Sequence, residues 1–422
     1  MKNLFNLTLS TVALAAVVVF GSCSTDDGDV AGVVTFAPSG SVDGADVLTS
    51  YADDVVITRY ENLATLAGKL YAEVQKLTGG ADEAAQIKVA AEAWVATRLA
   101  WERTEAYLFG PVDLYKIDPG IDSWPLALSS LADAIKGYTS GSYTDYNIKN
   151  DNGELKGFHT VEFLLFEDGA AKSVLTDFNN TAITASDYGL DVLTGAEVQT
   201  FLEAIAKELY YNTARLVAEW DSVDNDVVEA ANAAGLDVLT NNGGGYYDDF
   251  TTAGDDESSY SSLSDALSVI LESAAGIADE VGAVKINDPY VSKNVLDVES
   301  WFSWNSVYDF TDNIIGIKEA YYGMLFVGLS TDYASSAFAS ASAASSSISA
   351  YVASGSADLD SSVKDAIENA IAKVSSLPYP FRNYLDDAAE AATIEAAMEA
   401  CEELLEALET AQMAVNDGYY IE

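Results

Sequence analysis

The chain has 422 residues, 49% of them apolar, enough to bury more than one hydrophobic core. Its 67 Asp and Glu against 20 Lys and Arg leave a net charge of −47. That sign excludes nucleic acid as an expected partner, and most of the charge reads as a solubility device. Seven prolines in the whole chain suit long helices better than a β-sandwich, which needs frequent turn punctuation.

The N-terminus reads as a targeting segment. Lys2 supplies a positive charge, and Leu4 to Phe20 is an apolar run. Gly21-Ser22-Cys23 then resembles the lipobox of bacterial lipoproteins. Residues 1–22 are expected to be removed, leaving Cys23 acylated as the membrane anchor. Cleavage as an ordinary signal peptide near Ser22 is the alternative; the run is short for a retained span. Ser24 after the cysteine resembles an outer-membrane destination. The acidic Asp26, Asp27 and Asp29 resemble a signal for exposure at the cell surface, or serve only as a charged tether. Residues 23–44 are read as that tether. With Cys23 lipidated, Cys401 has no partner and reads as a small packed residue.

Helical signals begin near Val55, where Tyr60, Leu63, Leu66, Leu70 and Val74 recur at three and four until Gly79-Gly80. A second helix is predicted from about Ala84 to Phe109, stopping at Gly110-Pro111. A shorter one follows Pro125, and Tyr138 to Gly153 is turn-rich. Leu155 to Phe166 is a short helix, and Glu197 to Val223 a long amphipathic one. These elements make a first bundle over residues 45–240. Residues 241–258 hold a Gly triplet and several acids and read as a linker; the acids lack the spacing of a calcium loop. Leu263–Val284, Glu299–Met324, Thr331–Val352, Val363–Leu377 and Tyr384–Val415 form a second helical set over 259–422. The Ala/Ser-rich run from Ala334 to Ala350 is read as helix.

Charges stand where the core should be. Ile87, Trp94, Trp101 and Leu108 fall every seven residues, and Arg98 and Glu105 share their stripe. A structural ion-pair network explains that as well as a site does. His159, the only histidine, lies three residues before Glu162 on a helix otherwise made of Phe, Val and Leu. The pair is either a two-ligand metal clip or a satisfied hydrogen bond in a core. Asp122, beside Trp124 and Pro125, is either a site carboxylate or a helix cap.

Together these pieces resemble the imelysin family. Gly157-Phe158-His159-Thr160-Val161-Glu162 resembles its G-x-H-x-x-E motif, and Trp101, Glu105 and Phe109-Gly110-Pro111 its helix-end motif. Ile117-Asp118-Pro119 and Ile121-Asp122-Ser123-Trp124-Pro125 resemble its following loop. Glu299-Ser300-Trp301-Phe302-Ser303-Trp304-Asn305, Asp309-Phe310, Asp312-Asn313 and Tyr321-Tyr322-Gly323 resemble its C-terminal signature. The resemblance covers nearly all of the mature chain. It implies an all-α fold of two helical bundles packed side by side, with a site at their junction. It also implies an envelope location, a link to iron acquisition, and kinship with the metal-binding periplasmic component of ferrous-iron uptake. By match, His159, Glu162 and Glu105 form a metal site with Asp122 beside it, lined by Arg98, Trp101, Trp124 and Asn305.

The family's peptidase label meets an objection. Familiar zinc peptidases use two histidines and a carboxylate, and this chain has one histidine. One imidazole among oxygens suits harder ions such as Fe³⁺, Mn²⁺ or Ca²⁺. The sequence therefore reads as an envelope lipoprotein binding a metal ion, with iron the first candidate, and working with iron-uptake partner proteins. A metallopeptidase, with His159 and Glu162 as its catalytic residues, and a surface structural protein with a vestigial site are the alternatives.

Overall fold

The computed structural model describes residues 33–151, 153–240, 245–326 and 341–421. The leader, Cys23, Asp26 and Asp27 lie outside the described residues, as do residues 334–340 of the Ala334–Ala350 run. Four helices organise the first half: α1 (Thr58–Val74), α2 (Glu83–Glu102), α3 (Gly157–Leu165) and α4 (Gly195–Trp220). Helix α1 buries Tyr60, Leu63, Ala67, Leu70 and Val74, one face at helical spacing. Helix α4 starts with a reciprocal cap, Thr194 bonding Glu197 N while the Glu197 carboxylate returns to Thr194 N. Both α1 and α3 pack on α2 and α4, which closes a four-helix ring.

The second half repeats the arrangement with α5 (Leu263–Asp279), α6 (Ser306–Tyr322), α7 (Ala357–Val374) and α8 (Ala391–Asp417). Here α5 and α7 each pack on α6 and α8. The fold is all-α, two bundles side by side, in agreement with the sequence. Helix α6 is the seam: every residue of it but Tyr308 is buried, and it packs against α2 of the other bundle. Gly316 permits the crossing, because a Cβ there would stand 2.5 Å from Arg103 O. A buried ionic network rivets the same seam: Arg59 pairs with Glu319, and Arg103 with Asp312 at 2.9 Å.

Several boundaries depart from expectation. Helix α2 ends at Glu102, not Phe109. The amide and hydroxyl of Thr104 both turn back to Trp101 O at 2.6 Å, and a 3-10 turn, Glu105–Tyr107, follows. Helix also begins earlier than expected, at Gly44–Ser50, joined to α1 by a π-helical turn, Tyr51–Ile57. The C-terminal part of the expected linker is packed structure. Tyr246–Thr251 is helical, and Phe250 is buried against Tyr51, Phe109 and Trp220. Of the expected helix over 331–352, the described part is helical only from Ile348, capped by Ser347. Part of the expected tether is a strand: Val33–Thr35 pairs antiparallel with Tyr419–Ile421. Among the described residues, no helix is long and apolar enough to cross a membrane.

Candidate metal centre

The last turns of α2 bring Arg98, Trp101 and Glu102 to the bundle junction, and the 3-10 turn after it adds Glu105. Asp122 closes a single helical turn, Asp118–Ile121, with its backbone N–H on Asp118 O, and its side chain is no N-terminal cap; the next helix opens six residues later, at Leu128. Its carboxylate is instead held by the Arg98 guanidinium and by Trp101, whose indole N–H donates to Oδ2 at 2.6 Å. Helix α3 presents His159 and Glu162. The second bundle contributes Lys285 from a π-helical turn (Glu280–Ile286), Glu299 from the loop before α6, and Asp309 and Asn313 from α6.

His159 is the pivot. Its Nδ1 lies 3.0 Å from Glu162 Oε2. The other oxygen of Glu162 accepts from Phe302 N at 3.1 Å, and from Ser303 N and Oγ at 2.8 Å each. Glu162 is therefore a fixed acceptor that keeps a proton on Nδ1 and locks the ring. The other ring nitrogen, Nε2, stands 3.2 Å from Asp122 Oδ1 and 3.8 Å from Glu299 Oε1, buried and without a hydrogen-bond partner. His159, Asp122 and Glu299 are 2%, 5% and 1% exposed.

Fixed cations offset only part of the negative charge. Arg98 bonds Asp122, pairs with Glu102 at 2.5 Å and Glu299 at 2.7 Å, and reaches Asp309 at 3.4 Å. Lys285 Nζ stands 2.9 Å from Glu105, 3.2 Å from Glu299 and 3.5 Å from Glu102. Six carboxylates (Glu102, Glu105, Asp122, Glu162, Glu299, Asp309) thus face two permanent cations. The pKa values divide accordingly. Burial raises Glu102 and Glu105 despite Arg98 and Lys285 respectively, and pushes Asp309 up to about 7. Against the same burial, Lys285 and Arg98 pull Glu299 down to about 2, and Arg98 holds Asp122 well below the usual carboxylate range. Burial disfavours a charged imidazole, yet the surrounding carboxylates of Asp122, Glu162 and Glu299 hold the His159 pKa well above its ordinary value.

The donor set fits a metal ion. A neutral His159 with its proton on Nδ1 points the Nε2 lone pair at carboxylate lone pairs, which only a proton or a cation relieves. Suitable ligand atoms of Asp122, His159 and Glu299 lie within 4.8 Å of one another, and so do those of Glu102, Glu105 and Asp122. One nitrogen among oxygens favours manganese or iron over a structural zinc.

The residues singled out in the sequence occupy different places here. His159 and Asp122 meet directly, whereas Glu162 serves the opposite ring nitrogen. Glu105 belongs with Glu102 and Asp122 rather than with the imidazole. Trp124 meets the His159 ring edge to face at 6.2 Å between centroids. Asn305 acts through Asp309, donating to Oδ1 at 2.5 Å. Sequence reasoning did not assign Glu102, Lys285 or Glu299 to the site. Glu102 carried a usable signal, standing four residues after Arg98. Among the described residues no hydroxyl is hydrogen-bonded to the His159 ring, so a Ser–His–Asp triad is not assembled.

Residues 56–408 match the family model for imelysin, peptidase M75. A curated relative, iron-regulated protein A of Synechococcus elongatus, is 25% identical over 276 residues, 65% of this chain and 64% of its own length. The fold matches a crystal structure named for an iron-regulated protein A precursor from Parabacteroides distasonis, with a TM-score of 0.69 and 26% identity. That match covers 90% of this chain and 97% of the other. An imelysin-like protein from Psychrobacter arcticum 273-4 shares the fold at a TM-score of 0.55 and 13% identity, over 91% and 98% of the two chains. The chain belongs to the imelysin family.

Proposed function

We propose that this protein binds one metal ion between His159 Nε2, Asp122 and Glu299, and that it serves iron handling at the cell envelope. The observation that carries the reading is the unpartnered Nε2, aimed at two carboxylates by a ring that Glu162 has already locked. The ion would relieve the repulsion between those lone pairs and take up part of the excess carboxylate charge. The names of the relatives support iron as the first candidate. Anchoring at Cys23 in the outer membrane, facing the cell surface, and contact with iron-uptake partner proteins complete the proposal.

The test is metal content per chain after dialysis against Fe²⁺, Mn²⁺, Zn²⁺ or Ca²⁺. The reading expects one tightly held ion, with manganese or iron retained best. Metal at background for every ion would reject it.

The carboxylates around the ring favour a second reading. With both ring nitrogens facing carboxylates, a charged His159 would be a third fixed cation in a purely structural network. That version expects no metal and a charged imidazole at neutral pH, visible by nuclear magnetic resonance. Peptide cleavage fits less well: a small ion can permeate to a centre this buried, whereas a peptide carbonyl requires the bundles to part.

A further inference from the structure

The two carboxylate groups at the junction share Asp122, and Glu299 also spans them. Glu299 Oε1 faces Arg98 at 2.7 Å and His159 at 3.8 Å and accepts from Lys285 Nζ at 3.3 Å, while its Oε2 stands 3.2 Å from the same Nζ. Two carboxylates that reach two adjacent cation positions are the framework of a two-metal centre. Only one of those positions offers an imidazole. The other is filled by an ammonium group.

We propose that Lys285 is a built-in cation occupying the second metal position, and that it holds the centre to a single ion. The inference rests on the metal reading above for the first position. Lys285 Nζ stands among Glu105, Glu299 and Glu102 at 2.9, 3.2 and 3.5 Å, over the Trp124 ring at 5.4 Å from its centroid. All three carboxylates come from segments fixed by other contacts. Asn313 Nδ2 donates to Glu102 and Glu105 at 2.7 and 2.5 Å, and Ser306 Oγ donates to Glu299 O at 2.5 Å. The cage therefore does not depend on Lys285 alone for its shape.

An unbonded oxygen makes it a cation cage rather than a satisfied ion pair. Glu102 Oε1 and Glu299 Oε2 are buried within reach of Arg98 and Lys285 respectively, yet neither is aligned for a hydrogen bond. Glu102 Oε1 faces Arg98, whereas Glu299 Oε2 stands beside the ammonium without an aligned hydrogen bond and is free to ligate. A metal ion needs oxygens at roughly 2.0–2.6 Å, so the carboxylates would close by about 1 Å once the lysine is gone. Lys285 itself reaches inward from a π-helical turn, a local register shift that in other proteins often marks a functional position.

The experiment compares wild type, Lys285→Gln, Lys285→Met and Lys285→Arg, each dialysed against Mn²⁺ and analysed for metal per chain. Lys285→Gln and Lys285→Met should each hold one ion more than wild type, and Lys285→Arg the same as wild type. The paired ions, sharing Glu299, should broaden the hyperfine lines of an isolated Mn²⁺ in the electron paramagnetic resonance spectrum. Wild type and both neutral variants holding the same number of ions would overturn the inference. If wild type holds none while Lys285→Gln holds one, this inference stands and the first-position reading fails. Should the neutral variants unfold without metal, Mn²⁺ must restore their cooperative melt; failure to do so counts against the inference.

Discussion

Glu162 gives the sharpest test of how the site is built. In Glu162→Gln the side chain keeps its length but one oxygen becomes an amide. The carbonyl will face the three donors of residues 302 and 303 at 2.8–3.1 Å, because two of them are backbone N–H groups and cannot reverse. The amide N–H₂ is then left against His159 Nδ1, and two donors cannot share that contact. The ring proton must move to Nε2, where it faces Asp122 and removes the metal-binding lone pair. Losing such an outer partner typically weakens metal affinity about 10–100-fold, or about 1.4–2.8 kcal/mol. The assay is competition between the protein and a fluorescent chelator for Mn²⁺, with a thermal melt confirming that Glu162→Gln still folds. An unchanged dissociation constant would refute the argument that Glu162 sets the His159 tautomer.

Arg98→Met removes the guanidinium that serves Asp122, Glu102, Glu299 and Asp309; breaking a buried pair costs about 3–5 kcal/mol, so the metal-free melt should fall on the order of 10 °C. A melt within about 2 °C of wild type would contradict this. Burial lifts both Asp309 and Glu280 to about 7, each against the pull of a nearby cation. A folded-state pKa above the unfolded value of about 4 gives stability that is complete below pH 4 and lost as pH rises through 7. His159, also raised, acts in the same direction. Metal-free protein should therefore melt higher at pH 5.5 than at pH 8, saturating metal should narrow or reverse that order, and Asp309→Asn should flatten the metal-free slope. An Asp309→Asn slope equal to wild type would show that the cluster is not its source. Finally, Cys23→Ala should move the protein from the membrane fraction to the soluble fraction, and unchanged partitioning would exclude lipidation there.

The sequence exposed the charges that sit on regular helix. Arg98 lies on the stripe of Trp94 and Trp101, and His159 and Glu162 stand one turn apart, so helical periodicity alone turned them toward the core. Glu105 was found for a different reason from the one that places it. It does not continue the stripe of α2 but is carried inward by the 3-10 turn after that helix ends. Lys285 and Glu299 were not assigned because no regular period governs them. One sits in a π-helical turn and the other in an irregular loop, where inward and outward positions do not alternate predictably. Spacing showed that His159 and Glu162 meet but not which ring nitrogen they share. The packed Tyr246–Thr251 helix escaped notice because the Gly triplet before it outweighed its aromatic residues.

The central claim is the place of the ion, and anomalous diffraction from crystals grown with Mn²⁺ or Fe²⁺ tests it most directly. The expected result is one peak about 2.0–2.3 Å from His159 Nε2, bounded by Asp122 and Glu299, with Glu162 on the opposite ring nitrogen and Lys285 still in place. Clear density for these side chains with no peak between them, at metal concentrations that saturate the protein in solution, would contradict the account.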